Sequence, residues 1–295
     1  MNVEVIDIGA PMTMQPLSCE RRIVDIPVAG VPIGDQLRWL FGDSSSSTAG
    51  ELKIRGDLWP SPELALKIRT THGNLKVLNA EGQLMLHLIH NDSDKCEEIE
   101  LDAKSIELKY PWNILEVNER IIDGIAKNRI DGTVHPNAVI DGIVWVGRGS
   151  LLLPGVYIEG KVIIGENCKI GPNCYIRGNT YIGDNCRIGQ AVEIKNSLLM
   201  RKVSAGHLSY LGDSVVAENT NLGAGTITAN LRHDGTNHRS MVQGGLIDSG
   251  RRKFGAIIGS HVHTGIHTTI YPGRKIWPGI STLPGDIIRK DLVTP

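Results

Sequence analysis

One interval constrains this chain more than any other feature. From Val134 an aliphatic residue recurs at every sixth position, at Ile140, Val146, Leu152, Ile158, Ile164, Ile170, Ile176, Ile182, Ile188 and Ile194. A helix repeats near 3.6 residues and a strand near 2, so neither holds such a register for so long. Four positions after each aliphatic stands a small or modest side chain, including Ala138, Val144, Ser150, Val162, Cys168, Cys174, Thr180, Cys186 and Val192. A repeated six-residue unit of this kind is the mark of a parallel β-helix. Three units make one triangular coil, and coils stack at the strand spacing of about 4.8 Å. The aliphatics then form inward ladders, with small residues beside them because a narrow prism has no room for two bulky side chains per unit. Cys168, Cys174 and Cys186 read as small core fillers. Gly147, Gly165, Gly171, Gly183 and Gly189 follow the aliphatic where the chain must turn a tight corner.

The period fails twice. It slips between Met200 and Val216, and it gives way again to a polar insertion at 231–254, where Gly244-Gly245 reads as a hairpin tip. It returns through Ile258, Thr264, Ile270, Ile276, Thr282 and Ile288. A solenoid that interrupts its own repeat makes room for a loop or a site, so both breaks are where chemistry is expected.

Residues 1–110 carry no hexad. Short strand-like runs (VEVIDI, LALKIRT, LKVLNA, LMLHLIH) and a serine-rich stretch at Ser44–Ser47 point to a small α/β or mainly β domain. From Pro111, apolar residues at Ile114, Leu115, Val117, Ile121, Ile122 and Ile125 suit an amphipathic helix, expected to link the two parts over 111–130, with the β-helix at 131–295. With 31 basic and 32 acidic residues the formal net charge is -1, which offers no global field toward nucleic acid or an anionic membrane. No segment has a membrane-spanning length and the N-terminus lacks a leader pattern, so a cytoplasmic location is expected. The five cysteines are odd in number, include no C-x-x-C pair, and are expected reduced.

His207 to Asn230 (HLSYLGDSVVAENTNLGAGTITAN), with GPNCYIRGN and VEIKN upstream, resembles the acetyltransferase motif of the bifunctional glucosamine-1-phosphate acetyltransferase / N-acetylglucosamine-1-phosphate uridyltransferase family. The resemblance covers about the last 170 residues and implies a left-handed winding of the helix. It implies His207 as the general base that takes a proton from a sugar amine, Arg177 and Lys195 as the sugar-phosphate ligands, and Tyr210, Asn221 and Asn230 as sugar ligands. It also implies the Ala224 N–H as a donor to the acyl carbonyl of acetyl-CoA, and a homotrimer with Asn230 reaching a neighbour's site. Arg177 and Lys195 are 18 residues apart, one full coil, which stacks them on one edge. After Asn230 the chain reads Leu231-Arg232-His233-Asp234-Gly235, as in the archaeal-type branch, and His238 or Arg239 could replace that family's lysine. Arg251, Arg252 and Lys253 form a candidate clamp for a CoA or substrate phosphate, or else a solvated face.

Upstream, PLSCERRIVDIPVAGVPIGDQL resembles a sugar-phosphate nucleotidyltransferase segment, and YPWNILEVNERII resembles the helix after that domain in archaeal-type bifunctional enzymes. Where that family has its GxGTR loop this chain has Gly9 to Thr13 (GAPMT), and Ile23 stands at its lysine. A phosphate cradle needs backbone N–H groups and cations. The first 110 residues are therefore read as a degenerate remnant without nucleotide transfer. His261, His263 and His267 lie on repeat turns without a completing carboxylate or thiolate, so no metal is expected. The leading reading is an acetyl-CoA-dependent N-acetyltransferase for glucosamine- or galactosamine-1-phosphate. Alternatives are acetylation of another amino sugar or nucleotide-sugar, or a non-catalytic trimeric sugar-nucleotide-binding protein.

Overall fold

The computed structural model describes residues 1–42, 50–90 and 95–293, so the serine stretch at 44–47 lies outside the described residues. The chain divides into two compact units, one made mainly of residues before Lys109 and the other mainly of Tyr110–Pro295.

In the first unit a mixed five-stranded sheet is built from Asn2–Ile6, Gly50–Arg55, Leu84–His90, Asn74–Leu78 and Cys96–Glu100, in that spatial order. Alternation along Gly50–Arg55 and Asn74–Leu78 places Leu52, Ile54, Leu75 and Val77 in the core, where Ile33, Leu37 and Phe41 of a helix at Ile33–Gly42, which packs on Asn2–Ile6, are also buried. The LALKIRT run is not a strand. It lies in a helix, Pro62–Thr70, because Ser61 caps its start by accepting from the Leu64 N–H at 3.0 Å and Pro62 fits the first turn. Leu64, Ala65 and Ile68 then share the buried face. Ile23 is wholly buried in this unit.

In the second unit the hexads form a parallel β-helix. Its inward ladders run with the expected spacing of one coil: Val134 faces Leu152, Leu152 faces Ile170 and Ile170 faces Ile188. Ile158, Ile176 and Ile194 stack on a second side, and Val146, Ile164 and Ile182 on the next. Nearly all these aliphatics are fully buried, as are Cys168, Cys174 and Cys186. Each buried aliphatic contributes about 1.5–3 kcal/mol, so the repeat supplies a core along its whole length.

The slip near Met200 proves to be a change of coil length. Tyr181 faces Leu198 and Leu198 faces Val215, seventeen residues apart, where Arg177 still faces Lys195 at eighteen. One residue is missing from the same corner in two successive coils, at Asn196 and Asp213, both with positive φ. The strands continue through it, so no loop forms there. The second break is a loop: Arg239–Val242 and Gly245–Asp248 form an antiparallel hairpin. Its turn residues are Gln243 and Gly244, both at positive φ, one position earlier than the expected Gly244-Gly245 tip.

The helix after Pro111 spans Asn113–Asp123 and packs on the β-helix. Ile114, Leu115, Val117 and Ile122 are buried, and buried Asn118 donates to the Asn179 carbonyl at 3.3 Å. Trp112 stacks on Tyr110 and meets Phe254 edge-on, which ties the base of the inserted hairpin to the helix start.

Candidate functional site

The shortened corners put two polar side chains, Asn196 and Asp213, beside Lys195. Asp213 is almost fully buried: its Oδ2 accepts from Lys195 Nζ at 3.0 Å and from Asn230 Nδ2 at 2.5 Å, while Oδ1 accepts from Asn196 Nδ2 at 3.0 Å. A buried carboxylate is tolerable only when its oxygens are filled in this way. Asn230 Nδ2 also donates to Tyr210 Oη at 3.0 Å. Four of the expected substrate ligands are thus brought to one edge of the prism, since Arg177 stacks directly on Lys195 and is bound to Glu193 at 2.8–2.9 Å.

The electrostatics follow from this packing. Burial raises the Tyr210 phenol above its ordinary pKa, with the charges of Asp213 and Glu193 adding to it, so the hydroxyl stays protonated. Burial opposes charge on Arg177, but the hydrogen bond and charge of Glu193 outweigh it and raise the guanidinium pKa. Arg177 is also placed over the Tyr175 ring, 5.1 Å from its centre. Gly212, next along the same column, leaves room for this cluster: a Cβ there would come within 2.5 Å of Tyr210 Oη and 2.6 Å of Asn230 Nδ2.

His207 lies around one corner from Tyr210. It ends the strand Ser204–His207, the chain turns through Leu208 at positive φ, and Tyr210 begins the next strand. His207 is exposed, and its carbonyl accepts from the Gly225 N–H at 3.2 Å. Ala224 therefore stands on the adjacent coil beside it, with its own carbonyl accepting from the His267 N–H at 2.7 Å. Asn221 lies on the His207 face, paired with Ser204. His207, Asn221 and Ala224 form one group; Arg177, Lys195, Tyr210 and Asn230 form a second across the corner.

The basic triplet divides. Arg251 is committed to Glu119, with Nη2 2.5 Å from Oε1, and both side chains are mostly buried. Arg252 and Lys253 are exposed. Glu119 Oε1 also accepts from Asn196 Nδ2 at 2.7 Å, so the helix joins the same network. His238 is buried beneath Asn230, its Nε2 lying 3.0 Å from the Asn230 carbonyl, whereas Arg239 is exposed. Among the described residues no group of three or more His, Cys, Asp or Glu is arranged to hold a metal ion, and no helix is long and apolar enough to cross a membrane.

Asp213, Glu193, Asn196 and Glu119 were not singled out from sequence. The repeat length carried a signal for two of them, because the missing corner residue falls at Asn196 and Asp213. Glu119 carried none beyond its place on the polar face of a helix.

The model of a family described as the GMPPB C-terminal domain matches residues 158–279. A bifunctional sugar-1-phosphate nucleotidylyltransferase/acetyltransferase of Sulfurisphaera tokodaii is 43% identical over 250 residues, covering 84% of this chain and 60% of that protein. A bifunctional protein GlmU of Methanocaldococcus jannaschii is 40% identical over 201 residues, covering 67% of this chain and 48% of that protein. The chain spans between 47% and 60% of the length of the first three curated relatives it matches. Among solved structures, the polySia specific acetyltransferase NeuO is 16% identical with a TM-score of 0.29, over 56% of this chain and 79% of that one.

Proposed function

We propose that this chain, a relative of the bifunctional sugar-1-phosphate nucleotidylyltransferase/acetyltransferases, is an acetyl-CoA-dependent N-acetyltransferase acting on an amino-sugar 1-phosphate such as glucosamine- or galactosamine-1-phosphate. The observation that carries the reading is the connected edge of Arg177, Lys195, Tyr210 and Asn230, held by Glu193 and Asp213, one corner away from His207 and Ala224. Cations fixed at one end suit a phosphate, and neutral amide and hydroxyl groups suit a sugar ring.

In the proposed reaction the acceptor amine attacks the thioester carbonyl carbon of acetyl-CoA. His207 takes the amine proton, the Ala224 N–H donates to the carbonyl oxygen as charge develops, and the thiolate of CoA leaves. Direct transfer needs no covalent enzyme intermediate. Asn221 orients the acceptor from the His207 face. A homotrimer is the proposed assembly; Asn230, for which the resemblance implies a reach to a neighbour's site, is held by Tyr210 and Asp213 of its own chain. The first unit is proposed not to transfer nucleotides, a reading supported by Ile23, whose buried side chain offers no cation to a phosphate.

The test is free-thiol release from acetyl-CoA with glucosamine-1-phosphate and galactosamine-1-phosphate, comparing native protein with His207→Ala. Acceptor-dependent release that falls by roughly 10²–10⁴-fold in the variant is expected. No release with either acceptor would overturn the reading. UTP- or dTTP-dependent pyrophosphate release with a sugar phosphate would refute the absence of nucleotide transfer.

A further inference from the structure

Beyond the network at Arg177 and Lys195, the second unit contains a cleft of about 670 Å³ between the inserted segment and the last coils. Arg232, Arg239, Arg274 and Arg289 line it, together with Tyr271 and Leu231. Its charge differs in kind from that of the neighbouring edge. Arg177, Lys195 and Arg251 are each paired with a carboxylate, namely Glu193, Asp213 and Glu119. The cleft is lined by one carboxylate, Asp234, which is bound by Arg232 at 2.5–2.9 Å and by the Thr236 N–H and hydroxyl.

The other three arginines form no carboxylate salt bridge among the described residues. Arg274 donates to the carbonyls of Arg239 at 3.1 Å and Pro272 at 3.2 Å, contacts that fix its guanidinium, and its charge is shared with the nearby Asp291 carboxylate. Among the described residues neither Arg239 nor Arg289 is paired with a carboxylate, and both are exposed. Asp248 faces Arg239 across the hairpin, but its carboxylate accepts from the Gly250 N–H at 2.8 Å. Arg239 and Arg289 therefore bring to one cavity two positive charges with no carboxylate partner among the described residues, and Arg274, whose charge also acts on Asp291, adds a third guanidinium to the wall. Beside them Tyr271 is 45% and Leu231 49% exposed, two apolar surfaces in the same wall.

A bare phosphate would leave most of such a volume empty, and sites of roughly 300–1,000 Å³ take ligands of cofactor size. The wall offers cations for phosphates and flat apolar surface for a ring. Register places the cleft on the edge that carries Arg177 and Lys195. Arg177, Lys195 and Gly212 stack in one column, and pairing on the next coils carries that column on through Ala229, Tyr271 and Arg289. At about 4.8 Å per coil, Arg289 is roughly 19 Å beyond Lys195.

We infer that this cleft is a second anion site, for a nucleoside carrying two or more phosphate charges. Two sources have that chemistry: the adenosine 3′,5′-bisphosphate end of a CoA thioester, or the nucleotide of a nucleotide-linked sugar. The first assignment rests on the acetyltransferase reading above. The cleft itself does not.

Calorimetric titration of the whole chain with adenosine 3′,5′-bisphosphate, UDP and inorganic phosphate separates the possibilities. At least one nucleotide should bind ten or more times tighter than inorganic phosphate. The double variant Arg239→Glu/Arg289→Glu should weaken that binding by roughly 100-fold, given about tenfold for each lost charged contact. Arg239→Gln/Arg289→Gln should weaken it less, and Lys127→Glu, exposed and outside the cleft, should leave it unchanged. A preference for adenosine 3′,5′-bisphosphate assigns the cleft to the acyl donor; a preference for UDP assigns it to a nucleotide-linked ligand. Nucleotides that bind no tighter than phosphate, or that bind the glutamate variant equally well, overturn the inference. Because binding is read without turnover, failure of thiol release would sink the acetyltransferase reading and leave this result standing. Conversely, normal acetyl transfer with unaltered nucleotide binding in the variants would sink the cleft alone.

Discussion

Asp213→Asn removes one negative charge and almost no volume. In the native chain the carboxylate sits 3.0 Å from Lys195 Nζ, with side-chain exposures of 3% and 16%. At an effective dielectric of about 20, a unit charge pair at that distance attracts by roughly 5 kcal/mol. Part of this is offset by the hydration both groups gave up. Removing one partner of such a pair costs about 3–5 kcal/mol, because the ammonium remains largely buried beside a neutral amide. The amide also presents a donor where Asn230 and Asn196 both donate, so at least one of the contacts at 2.5 and 3.0 Å is lost.

For a unit of this size each kcal/mol lowers the melting temperature by roughly 2–4 °C, which gives a fall of about 6–20 °C. The assay is thermal unfolding at fixed protein concentration, followed by the acetyl-transfer KM for the sugar phosphate at a temperature where the variant is folded. KM should rise, since Lys195 and Asn230 lose the group that orients them. Lys195→Met in the Asp213→Asn background should recover part of the stability and none of the substrate affinity. A fall of less than 2 °C with unchanged KM would refute the claim that this buried carboxylate organises the edge.

Three further outcomes follow from the same geometry. Gly212→Ala drives a methyl against the ends of Tyr210 and Asn230 rather than against backbone, so the fold should survive while kcat/KM falls at least tenfold; unchanged kinetics would mean the cluster does not hold the acceptor. Ser214→Val strands the Ala256 N–H, which now donates to Ser214 Oγ at 3.0 Å, and should cost about 1–3 kcal/mol in chemical denaturation. Burial lowers the His238 pKa below its ordinary value near 6.5, so the fold favours the neutral ring. Its contribution is complete above that pH and is lost as pH falls through the lowered folded value, so the inserted hairpin should loosen on the acid side. His238→Gln should remove this acid limb from a stability profile, and an identical profile in the variant would count against it.

The sequence by itself determined the β-helix. A six-residue aliphatic period has one compact solution, because each unit forms a side of the same narrow prism whatever lies elsewhere in the chain. Even the buried cysteines were legible, since the small position of the hexad must be filled from within. The run Leu64–Thr70 was misread because its apolar residues fit a short strand as well as a helix, and the Ser61 cap with Pro62 decided between them. Arg177 and Lys195 could be placed on one edge by counting one coil, which is arithmetic on a fixed repeat.

What tertiary structure alone decided is how those charges are compensated and where charge is left over. Glu193, Asp213 and Glu119 meet the cations Arg177, Lys195 and Arg251 through a neighbouring coil, a shortened corner and a helix packed on the outside, at separations of 16, 18 and 132 residues. No local pattern encodes the last of these. The unpaired charge at Arg239 and Arg289 emerges only when an insertion folds back on the final coils, because a long-range ion pair depends on which surfaces meet, whereas an inward ladder depends only on spacing.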